Sequence, residues 1–88
     1  MRMGWNTKMY TGGRYIPIAE LLAAGTHTVE YWGNAAEGWR PYLVSDGSGV
    51  PIGPHFSQEQ GDRLNDLKEA AARAYGIQPS DVKRGRNW

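Results

Sequence analysis

The stretch that most limits the fold is residues 39–57, WRPYLVSDGSGVPIGPHFS. Two apolar runs flank Asp46-Gly47-Ser48-Gly49, and Asp and Gly supply the torsion angles that a tight loop requires. This is the pattern of a β-hairpin. Trp39 to Ser45 reads as one strand, and Val50 to Ile52 as a short strand after the turn, ended by Gly53-Pro54. Upstream, Thr28, Val29, Tyr31 and Trp32 favour a strand over 26–33. Asn34-Ala35-Ala36-Glu37-Gly38 then reads as a five-residue hairpin loop.

Helices bracket these strands. In residues 15–25, YIPIAELLAAG, Pro17 suits a first helical position and Gly25 the position just past the end. Ile18, Leu21 and Leu22 repeat at i, i+3, i+4, so a short N-terminal helix is expected there. The second helix carries a stronger signature. Ser57 and Gln60 are spaced as a capping box, with Ser57 as N-cap. Leu64, Leu67, Ala71 and Ala74 form one stripe, with Tyr75 beside it. Gly76, Ile77 and Pro79 mark its end.

The expected fold class is therefore α+β, in the order α-β-β-(β)-α. A single small domain carries an antiparallel sheet of two to three strands packed on a C-terminal helix. Residues 1–14 have no clear period beyond the turn signal Thr11-Gly12-Gly13-Arg14 and read as an N-terminal arm. Residues 15–77 form the domain, and 78–88 a loose basic tail.

Size and charge narrow the function classes. A chain of 88 residues buries roughly 60% of the surface its unfolded form exposes, so a partner or a second copy would help stabilise it; monomer and homodimer both remain open. Ten Lys/Arg against nine Asp/Glu give a net charge of +1, without the basic excess usual in a dedicated nucleic-acid binder. Cysteine is absent, which removes disulfides and thiolate metal sites and fits a reducing compartment. No apolar h-region follows the N-terminal charge, and Ile18–Ala24 is too short to span a bilayer. A cytoplasmic protein with no membrane partner is expected.

Catalytic signatures are missing. Ser45-Asp46-Gly47-Ser48-Gly49 does not supply the G-x-S-x-G elbow of a hydrolase. His27 and His55 lack a metal-binding spacing, and Gly12-Gly13 lacks the phosphate-loop pattern. The segment IAELLAAGTHTVEYW begins like a helix-turn-helix, but Leu21 stands where a small residue is required and the second half is β-branched and aromatic. The expectation is a non-enzymatic protein with no catalytic residues, cofactor or metal.

Binding is where the composition points. Four Trp and five Tyr are the compositional outlier, and both residue types serve small cores and interfaces alike. Side chains alternate across a strand, so Trp39, Pro41 and Leu43 oppose Arg40, Tyr42 and Val44. Likewise Val29 and Tyr31 oppose Thr28, Glu30 and Trp32. One amphipathic helix covers one face of such a sheet. Residues 1–25 fold over the other, or it stays exposed as an aromatic patch containing Arg40. Pro41 cannot donate to a ladder, so either the third strand is nominal or its ladder is interrupted there.

The segment 38–76 is similar in outline to the AP2 domain and to the arm-binding domain of tyrosine integrases. The matching features are Trp39 in a strand, the Gly-containing turn, Phe56, and Ala-Ala-Arg-Ala-Tyr in the helix. That resemblance implies DNA reading by the sheet, yet Arg40 is the one basic residue in these strands, whereas those sheets present several. The short, cysteine-free, Trp-rich chain with a strand–DGSG–strand–helix core also resembles small accessory proteins of phages and mobile elements, anti-CRISPR inhibitors among them. This implies capture of a host protein, alone or in a nucleoprotein complex.

Two functions follow as expectations. The first is a protein-binding module, a phage or mobile-element inhibitor, using Trp32, Trp39, Arg40 and Tyr42 on the sheet; core packing competes with this role for each tryptophan. The alternative is nucleic-acid binding through Lys83, Arg84, Arg86 and Trp88, with phosphates tracked by the tail and a base stacked on the tryptophan.

Overall fold

The computed structural model describes residues 4–58 and 61–88. Its elements are β1 (Lys8–Thr11), β2 (Arg14–Pro17), α1 (Ile18–Ala23), β3 (Thr28–Asn34), β4 (Gly38–Ser45), β5 (Ser48–Pro51), α2 (Arg63–Tyr75), a 3₁₀ turn (Pro79–Asp81) and β6 (Lys83–Asn87). Strands β1 and β2 form a separate hairpin; the main sheet has the order β5-β4-β3-β6. The class is α+β.

Two turns determine much of this. Asp46 (φ +51°) and Gly47 (φ +80°) are both left-handed, so β4 and β5 are joined by a two-residue loop with register Ser45↔Ser48. Positive φ at both central positions is the turn that matches strand twist, and Asp-Gly is a favoured pair for it. Gly12 (φ +63°) and Gly13 (φ +85°) do the same between β1 and β2. The arm expected over 1–14 therefore contains a strand, which the absence of a hydrophobic period concealed. The short helix expected over 15–25 is correspondingly reduced, because Arg14–Pro17 pairs with β1 and only Ile18–Ala23 is helical.

The largest departure lies at the chain's end. The tail expected to be loose forms β6, which runs parallel to β3 with Glu30↔Lys83 and Tyr31↔Arg84 in register. The sheet is thus four-stranded and mixed, and α2 is followed by a strand rather than ending the fold. Parallel pairing is possible because the intervening β4, β5 and α2 supply the long crossover that two parallel strands need.

Pro41 is accommodated by interruption. The β4–β5 ladder runs from Ser45↔Ser48 to Tyr42↔Pro51 and stops there. Pro41 O still accepts from Ile52 N at 3.0 Å, and Trp39 exchanges bonds with Phe56 at 2.9 and 2.7 Å. The missing N–H falls in the gap between these two paired stretches.

Helix α2 begins later than a cap at Ser57 would place it. Its N-cap is Asp62, whose side chain accepts from Asn65 N; Gln60, the expected partner of Ser57, lies outside the described residues. The buried stripe is Leu67, Ala71 and Tyr75, spaced i, i+4, i+8. Tyr75 occupies the core position expected of Ala74, which is exposed. Gly76 (φ +68°) closes the helix, its N–H bonding to Ala72 O.

The main core joins α2 to one sheet face: Val29, Trp39 and Leu43 meet Leu67, Ala71 and Tyr75, with Ile18, Ile52, Phe56 and Val82 filling in. The N-terminal segment packs into this same core. Trp5 meets Phe56 (ring centres 6.3 Å apart) and Tyr75 (5.8 Å), and Asn6 N bonds to Ile52 O. No described helix is long and apolar enough to cross a membrane.

Candidate functional site

The sheet face opposite α2 is built around one ring. Trp32 is 7% exposed, although by alternation it points away from the main core. Its indole stacks on Tyr42 at 4.1 Å between centres, nearly coplanar at 14°, and its Nε1 donates to Glu30 Oε1 at 2.9 Å. A Cβ at Gly49 on β5 or at Gly85 on β6 would overlap this indole. The sheet therefore curls until both outer strands reach the same side chain, and each meets it with a glycine because nothing larger fits.

The chain's last residues complete the enclosure. The register slips between Tyr31 and Gly33, a bulge in which Gly85 and Arg86 together oppose Trp32. A bulge re-aims side chains, and here Arg86 lies over the Trp32 ring, its guanidinium carbon 4.7 Å from the centre. Arg86 Nη2 donates to Gly47 O at 3.2 Å, tying β6 to the turn at the opposite edge. Trp88 stands edge-on to Trp32, with ring centres 6.5 Å apart. Its N–H bonds to Gly33 O, and its carbonyl accepts from Asn34 Nδ2. Trp88 is held by these bonds while 59% exposed.

The two residue sets singled out from the sequence thus share one face, with two exceptions. Trp32, Arg40 and Tyr42 meet Arg86, Trp88 and, through its pairing with Glu30, Lys83. Trp39 does not join them: it is 8% exposed in the main core, its ring perpendicular to that of Tyr31 at 5.1 Å. Arg84 pairs with Tyr31 and projects to the other side of the edge strand. Sequence reasoning missed Glu30, Gly49 and Gly85, and a glycine between two arginines in 84–86 was the available signal.

Charge distinguishes this region. The only ion pair among the described residues joins Arg63 to Asp66 at 3.6 Å. Arg40 bonds through Nε to the carbonyl of Gly53 at 3.0 Å, and Arg86 to that of Gly47. Lys83 and Arg84 are exposed and make no ion pair with a described carboxylate. Arg40, Lys83 and Arg86 therefore share this face with Glu30, whose carboxylate accepts from Trp32 Nε1, and none of the three is ion-paired to a described carboxylate.

Elsewhere, a cavity of about 330 Å³ opens between α1, the start of β3 and the 3₁₀ turn, lined in part by Leu22, His27, Val29, Ile77 and Lys83. His27 Nδ1 lies 2.9 Å from Thr26 Oγ1. No three His, Asp or Glu side chains gather as a metal site among the described residues. Comparisons with protein-family models, curated proteins and solved structures return no match.

Proposed function

We propose that the chain is a non-enzymatic protein-binding module, an inhibitor of the phage or mobile-element kind, whose contact surface is the face around Trp32. The observation that carries this is Trp88: a large aromatic side chain 59% exposed, on a backbone held at both its N–H and its carbonyl, with its ring set edge-on against Trp32. A fixed aromatic loses little conformational entropy on binding. Trp, Tyr and Arg are also the residue types that dominate binding hot spots. Trp32 is the floor of this surface rather than an anchor, and Arg40, Tyr42 and Arg86 stand around it. The cations select a partner with an acidic surface, because unneutralised positive charge steers association and penalises basic partners.

A second reading is nucleic-acid binding, favoured by the order of β6, which spaces Lys83, Arg84 and Arg86 along a strand that Trp88 directly follows. Backbone phosphates and one stacked base would use those groups. Capture from bacterial lysate separates the two. A partner retained after nuclease and lost with Trp88→Ala supports the protein-binding module. Binding that vanishes with nuclease, and weakens steeply with salt, supports the second.

A further inference from the structure

The outer edge of β6 faces no strand among the described residues, since β6 ends the sheet order. We infer that this edge captures an extended acidic segment of a protein partner by strand addition, which specifies how the proposed binding module engages its target and rests on that reading. The edge offers alternating backbone N–H donors and C=O acceptors, and an extended peptide satisfies both. A nucleic acid supplies acceptors to the N–H groups but no matching row of donors.

The side chains set the chemistry of the occupant. Lys83 lies on the Trp32 face and Arg84 on the other, so a strand laid alongside meets a cation on each of its own faces. Both are exposed, and no described carboxylate is ion-paired to either. Cross-strand pairs of opposite charge stabilise a ladder, and like charges directly opposite destabilise it. A second copy docking β6 on β6 would set Lys83, Arg84 and Arg86 against themselves. Cations and a bulge at an edge are the devices that block self-pairing, and these same cations favour an acidic guest. The bulge at Gly85–Arg86 keeps the straight run short, so charge and ladder must act together. At the end of that run Trp88 offers an apolar contact.

The test uses the full chain, labelled with ¹⁵N, and a capped peptide of alternating glutamate and valine about seven residues long, the span of a typical strand. Two companion probes are the same peptide with alternate backbone nitrogens methylated, and an oligothymidylate of similar length. The expected result is saturable binding with slowed amide exchange confined to β6 and its neighbours. Methylation, or Lys83→Gln with Arg84→Gln, should weaken it at least about tenfold, the scale of one or two lost hydrogen bonds. Equal binding of the methylated peptide, or tighter binding of the oligothymidylate at the same residues, reduces the edge to an anion-attracting surface and overturns strand addition. So does the absence of saturable binding. A lysate partner still held after nuclease by the Lys83→Gln, Arg84→Gln chain would leave the protein-binding reading standing while strand addition falls.

Discussion

The guanidinium of Arg86, in the last strand, sits over the ring of Trp32 and bonds to the carbonyl of Gly47 in the turn at the far side of the sheet. One side chain thus bridges the two outer strands across the indole they enclose. Replacing Arg86 with Ala removes a cation–π contact and a charge-assisted hydrogen bond. The expected loss is about 1–2 kcal/mol, read as a lower urea midpoint. Arg86→Lys should recover only part of it, because an ammonium lacks the planar fork that reaches ring and carbonyl together.

The enclosure also predicts which glycines cannot change. Gly49→Ala and Gly85→Ala each drive a methyl into the Trp32 ring, an overpacking that costs about 1–3 kcal/mol. Gly4→Ala, with open space around it, serves as the neutral control. Chemical denaturation of the three variants side by side checks this, and equal stability of all three would mean that the sheet does not close on the indole.

Tyr75 couples stability to high pH. Burial pushes its phenol up to about 12, and the hydroxyl donates to Asn6 O at 2.5 Å. An ordinary tyrosine ionises near pH 10, so above that value the unfolded chain releases a proton that the folded chain keeps. The stabilisation is whole below pH 10 and is lost as pH rises through about 12, amounting to about 2–3 kcal/mol. Denaturation at pH 9, 10 and 11 should show a falling midpoint, and Tyr75→Phe should flatten that fall.

The start of α2 gives a smaller effect. Asp62→Ala removes the side-chain acceptor for Asn65 N and should cost about 1 kcal/mol. Asp62→Asn should largely preserve stability, since its side-chain oxygen still accepts the bond.

Much of the central fold was legible because local chemistry and tertiary demand agree there. Asp46–Gly49 announces a turn, which the structure narrows to Asp46-Gly47 with β5 starting at Ser48; Pro41 allows a nominal third strand or an interrupted ladder, and the interruption is what forms; and Trp39, Pro41 and Leu43 share the buried face that alternation gives them. What was not legible depends on distant partners. Residues 83–87 are basic and carry no β-branched or aromatic side chain, so nothing local announces a strand; β3 and the ring of Trp32 create it. The N-terminal hairpin was hidden for a related reason, since each of its strands sends a single half-buried apolar side chain, Met9 or Ile16, against the core, too few to show a period. In the candidate site, residue types were readable but their assembly was not. Trp32 and Trp39 look alike in sequence, yet one floors the exposed face and the other belongs to the main core.

In the proposed function, the face around Trp32, with Trp88 as its anchor, holds a protein partner. Its most direct test is the dissociation constant of the nuclease-resistant partner for the native chain, Trp88→Ala and Arg40→Glu, with urea unfolding of each in parallel. Trp88→Ala should weaken binding about thirtyfold or more, the scale of a hot spot of about 2 kcal/mol, while its unfolding midpoint stays close to native. Arg40→Glu should slow association. Native affinity in both variants, with the fold intact, would contradict the claim and move the binding surface elsewhere on the molecule.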